Sequence, residues 1–170
     1  MKSQRIKDIT LMGILLGVLF TCKRILEFLP NTELVTLLFI VYAYVFGKKT
    51  YIISVCFTIL ETFVWGVHNW VIMYLYIWPL LITVVLLTRR WAGYMFYTVL
   101  SGFYGLFFGL LCSIPYYFIG GLSMQVTWWI AGIPFDIIHC VSNFIIALVL
   151  YKPVLAVCKK AKIIMEGNID

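Results

Sequence analysis

Six apolar runs, near residues 9–29, 33–46, 51–66, 70–88, 94–118 and 126–151, follow one another with only short polar punctuation between them. A helix that crosses the hydrocarbon core needs about 20 residues, so six crossings would use about 120 of the 170 and leave short loops and small tails. Hydrophobic residues make up 64% of the sequence and charged ones 12%. A water-soluble domain could not hide that much apolar surface, and one compact membrane domain is the limit of the length. The expected fold is therefore an all-α membrane protein, a bundle of six transmembrane helices. The second and third runs are short, but Gly47, Lys48 and Lys49 separate them at one face, and the residues from Trp65 to Asn69 end the third at the other.

Charge sets the direction, because cytoplasmic flanks collect Lys and Arg. Eleven of the thirteen basic residues fall before the first run, between the second and third, between the fourth and fifth, or after the sixth. The alternate loops, 30–32, 67–69 and 119–125, contain none. An even number of spans in a cell membrane, with both termini cytoplasmic, satisfies this alternation; an odd number destroys it. Topology also accounts for the net charge of +6 without any nucleic-acid partner. The first run has full spanning length and no small-residue cleavage site, so it is expected to stay attached as a span. In the sixth, Pro134 either kinks one long helix or opens a new one with Asp136 in its first turn.

The informative residues are those that do not belong in lipid. Lys23 and Arg24 lie near the outer end of the first run, with Glu27 in reach of both along the helix. They form either a snorkelling cluster or, through Arg24, a substrate contact. Glu61 lies within the third run and needs an interior partner, since a carboxylate in hydrocarbon costs a few kcal/mol at the least. Ser54, Thr58, Glu61, Trp65 and His68 would share one helical face, and the reading stays open between a packing seam, with Glu61 paired to Lys23 or Arg24, and a ligand site. Trp129, Gly132, Asp136, His139 and Asn143 repeat such a stripe in the sixth run, as expected for a lined cavity. Arg24, Asn31, Glu33, Glu61, Trp65, His68, Asn69, Trp128, Trp129, Asp136, His139 and Asn143 make the candidate substrate-binding set, in the outer half of the bundle. Some of the nearby aromatics belong to the ordinary interfacial belt, but a cleft for a planar or partly apolar ligand uses the same residue types.

Enzyme signatures are weak. Gly47-Lys48-Lys49-Thr50 lacks the first glycine of a phosphate loop and has Lys where Ser or Thr is needed. There is no nucleophile elbow and no zinc-binding His-Glu-x-x-His helix. His68 and His139 lack metal-ligand spacing, and the five cysteines are widely spaced without a Cys-x-x-Cys pair, so neither metal nor disulfide is expected. No catalytic residue and no cofactor is assigned.

Gly13-x-x-x-Gly17-x-x-x-Thr21 places three small residues on one face of the first helix, where another helix can approach closely. With the length, six spans, cytoplasmic termini and outer polar and aromatic groups, the chain resembles the substrate-binding S component of an energy-coupling factor (ECF) vitamin transporter. The resemblance covers the whole chain in architecture, whereas its local motifs are degenerate. The usual first-helix motif is alanine-based, and here Gly13 and Gly17 replace the alanines. Leu29-Pro30-Asn31-Thr32-Glu33-Leu34, followed by a run ending Phe46-Gly47-Lys48, resembles a subset associated with cobalamin-type substrates. The resemblance implies a high-affinity vitamin or vitamin-precursor binding subunit of an ATP-driven importer. Its partners would be a transmembrane T component, docked at Gly13, Gly17 and Thr21, and two cytoplasmic ATPases. A stand-alone oligomeric transporter or channel is the alternative reading, and a small intramembrane enzyme the third.

Overall fold

The computed structural model describes residues 2–166, with side chains from Arg5 to Met165; the side chain of Lys2, one of the basic flanking residues, lies outside the described residues. The elements are α1 (Lys2–Leu26), α2 (Val35–Phe46), a one-turn 3₁₀ segment (Gly47–Lys49), α3 (Thr50–Trp65), α4 (Asn69–Thr88), α5 (Tyr94–Leu106) and α6 (Phe108–Glu166). No strand occurs among the described residues. Four helical stretches, 5–26, 35–65, 69–88 and 108–165, are long and apolar enough to cross a membrane.

Two of those stretches contain reversals. Gly47 adopts φ 66° and ψ −138°, a left-handed conformation that favours glycine, and it ends α2. Phe39 and Phe57 then meet with ring centroids 5.9 Å apart, although 18 residues of straight helix would separate them by about 27 Å. Non-helical angles at Gly120 and Gly121 reverse α6 in the same way. Tyr116 consequently stacks on Trp128 at 4.9 Å. No such break occurs at Pro134, so one helix runs through it and Asp136 lies mid-helix. That helix, from the break to Glu166, is about 67 Å long, more than twice the hydrocarbon thickness of about 30 Å, and outruns the expected 126–151.

At the centre of the bundle is α2. Ten of its twelve residues are buried, which its apolar sequence on every face permits. Phe39 stacks on Trp78 of α4 at 5.0 Å, and Tyr42 donates a hydrogen bond to the Leu15 carbonyl of α1 at 3.2 Å. Because α2 is only about 18 Å long, the loop preceding it is drawn in against α6 instead of standing at the rim. Ser142 donates to the Asn31 carbonyl there at 2.7 Å.

A second packing seam joins α5 and the start of α6 to the part of α6 after the break. A Cβ on Gly102 would lie 3.1 Å from Phe144 Cβ, and one on Gly105 would lie 2.7 Å from the His139 backbone. A Cβ on Gly109 would collide with the Asp136 carboxylate. Three glycines spaced three and four residues apart thus set the approach of the two helices.

Basic residues gather at one end. Lys49 pairs with Asp8 at 2.8 Å, Lys162 donates to the Val45 carbonyl at 3.2 Å, and Arg89 packs against Gly47. The beginning of α1 and the last turns of α6 therefore share an end of the bundle. The polar clusters described next lie toward the other.

Candidate functional site

The first cluster ties α1 to α3. Glu61 is fully buried and its two oxygens accept from Arg24 Nη2 at 2.8 and 2.7 Å. Lys23 donates to the same carboxylate and, at 3.2 Å, to the Tyr74 hydroxyl of α4. Arg24 also pairs with Glu27 at 3.2 Å, so two cations face two carboxylates. The guanidinium further lies over the Phe20 and Trp65 rings, at 5.2 and 5.4 Å from their centroids. Of the two readings of Glu61, its pairing with Lys23 and Arg24 is the geometry found.

Next to this cluster is a cavity of about 390 Å³ lined by Lys23, Glu27, Glu61, Trp65, His68, Trp70 and Tyr74. His68 reaches it by a different route from the one expected. The helix ends at Trp65, because Gly66 takes φ 78°, and His68 is the extended residue ahead of α4 instead of a fourth turn of α3. Asn69, the first residue of α4, is exposed.

The second cluster joins the loop before α2 to α6. Glu33 caps α2, accepting from the Thr36 backbone N–H at 2.9 Å and from the Thr36 hydroxyl. His139 Nε2 donates to Glu33 Oε1 at 3.2 Å from the other side. Burial of this loop residue pushes its carboxyl up, but the donors from His139 and Thr36 outweigh burial and hold it below the usual carboxylate range.

One helical turn from His139, Asp136 is only 5% exposed. Its Oδ1 accepts the Gly109 backbone N–H at 2.9 Å, while its buried Oδ2 has no hydrogen-bond partner among the described residues. Asn143, one turn beyond His139, is 1% exposed, with neither amide atom paired. Buried polar atoms are nearly always satisfied, so one unpaired carboxylate oxygen and one unpaired amide on one helical face are a signal. Asp136 lines a cavity of about 380 Å³ with Asn31, Phe108, Gly109, Trp128, Phe135 and their small neighbours.

Asn31, Trp128 and Asp136 thus come together around one cavity, with Glu33, His139 and Asn143 packed behind or beside it. Gly132 lines it as well. Trp129, half-buried, lies outside the lining of both cavities, as does Asn69. Arg24, Glu61, Trp65 and His68 form the other cluster. Sequence reasoning missed Phe108, Gly109 and Thr36. Gly102-x-x-Gly105-x-x-x-Gly109 was the available signal for the glycine seam, whereas Thr36 follows Glu33 at a capping distance that only a known helix start makes readable.

The proposed docking residues have open surroundings. Among the described residues nothing lies within 4 Å of a Cβ placed on Gly13 or Gly17, and Thr21 is exposed on the same face. Gly13 lines an apolar groove of about 480 Å³ between α1 and α3. Comparison with protein-family models, curated proteins and solved structures finds no match.

Proposed function

We propose that the chain is the substrate-binding subunit of an energy-coupling factor type importer, a six-span protein of the cell membrane with both termini cytoplasmic. It binds a small vitamin-like molecule from outside, carries out no chemistry itself, and depends on a T component and two cytoplasmic ATPases for transport. The observation that carries the reading is Asp136, which lines an aromatic cavity and keeps one buried carboxylate oxygen without a hydrogen-bond partner among the described residues. An interior carboxylate oxygen without a donor is costly, and a ligand N–H or O–H would satisfy it. Glu61 is less available for that role because two cations of the same chain already hold it.

The open Gly13, Gly17 and Thr21 face supports the second half of the reading, since close helix approach by a partner needs small residues with no internal neighbour. Reconstitution tests the proposal. Liposomes holding this chain alone should bind solute without accumulating or converting it, and uptake should appear only with the T component and ATPases. Uptake by the chain alone would favour the stand-alone transporter, and conversion the intramembrane enzyme.

A further inference from the structure

We infer that the cavity at Asp136 selects a small planar organic cation, one or two rings carrying an amidine-like or aminoheterocyclic N–H edge. This inference rests on the binding-subunit reading and narrows its substrate class.

Charge supplies the first argument. The second cluster contains two carboxylates, Asp136 and Glu33, and one imidazole, His139. With both carboxylates ionised, one imidazole cannot balance them, so the cluster's formal charge is negative. No Lys or Arg occurs between Arg90 and Lys152, the whole stretch that supplies most of the cavity wall. The two basic residues at the end of α1, Lys23 and Arg24, are committed to Glu61 and Glu27. A cation entering this cavity meets a carboxylate that pairs with no Lys or Arg among the described residues.

The walls supply the second. Phe108, Trp128 and Phe135 line the cavity, and two of them are held in place by other rings. Trp128 stacks on Tyr116 at an interplanar angle of 23°, and Phe108 meets the His139 ring edge to face at 5.0 Å. Fixed aromatic faces beside one carboxylate suit a flat cation, which gains from the ring quadrupoles as well as from the charge. Size supplies the third. About 380 Å³ is at the small end of organic ligand sites, which fits one or two rings and not a corrinoid macrocycle.

Benzamidinium is the probe, with neutral benzamide and anionic benzoate as near-isosteres, titrated calorimetrically into the full-length protein in lipid nanodiscs. Benzamidinium should bind at least about tenfold more tightly than benzamide. Asp136→Asn should cut benzamidinium affinity roughly ten- to a hundredfold and leave benzamide unchanged. Trp128→Leu should weaken both, and thermal melting of each variant confirms that the folded protein is being titrated. No benzamidinium binding at millimolar concentration, equal binding of the three probes, or an unchanged Asp136→Asn variant would overturn the inference. A neutral or anionic molecule retained one-to-one by the purified protein would overturn it too, while leaving the binding-subunit reading intact. Solute uptake by the chain alone would end that reading, and a cation preference lost in Asp136→Asn would still stand.

Discussion

Arg24 on α1 and Glu61 on α3 meet through one guanidinium nitrogen placed 2.8 and 2.7 Å from the two carboxylate oxygens. With Lys23 on the same carboxylate, this joins the first helix to the third in a part of the chain where an unpaired charge would be intolerable. The contact divides the two polar clusters by role: one carboxylate is consumed by the fold, and the other keeps an oxygen free.

Glu61→Gln should therefore act on stability. Breaking a buried pair costs about 3–5 kcal/mol, and partial exposure of both cations favours the lower end. Thermal unfolding in detergent should show a large drop in midpoint, while the folded fraction keeps its ligand affinity. Lost affinity with unchanged stability would move the binding site to this cluster.

The glycines give a paired comparison. Gly105→Ala should destabilise by about 1–3 kcal/mol, because the new methyl meets the His139 backbone, which cannot rotate away. Gly13→Ala should be neutral, since its Cβ meets nothing within 4 Å. Melting curves of the two variants side by side check this, and equal effects would contradict the described packing.

Gly13→Leu and Gly17→Leu should leave ligand binding by the isolated protein intact and abolish transport by the assembled importer, because bulky side chains would hold a partner helix away. Binding and transport assays on the same preparations separate docking from internal packing. Loss of both together would assign this face to the fold.

Sidedness follows from the basic end. On a background without native thiols, a cysteine at position 48 should resist impermeant reagents applied to intact cells, and one at position 121 should react. Reaction at position 48 from outside would reverse or break the topology.

Helix type and rough position were legible in the sequence because apolar runs of spanning length leave few alternatives. Two details were not. Helical spacing put His68 on the Glu61 face although the third run ends at 66; Gly66 ends the helix there, and His68 comes to the cavity as the extended residue ahead of α4. Pro134 left a kinked long helix and a new helix start both open, and the helix passes through it, while the reversal at Gly120 and Gly121 falls within the loop expected at 119–125. Asp136, His139 and Asn143 were readable as one stripe because that helix is regular. Their partner, the Gly102, Gly105 and Gly109 seam, was visible as spacing but overshadowed by Gly13 and Gly17, which resemble it but whose Cβ positions are open among the described residues.

Native mass spectrometry of the protein released gently from the membranes of cells grown in rich medium tests the central claim most directly. Wild type should carry one small organic molecule per chain, and Asp136→Asn, equally folded, should carry little or none. A bare chain in both preparations, or the same adduct in both, would contradict a ligand site built around Asp136.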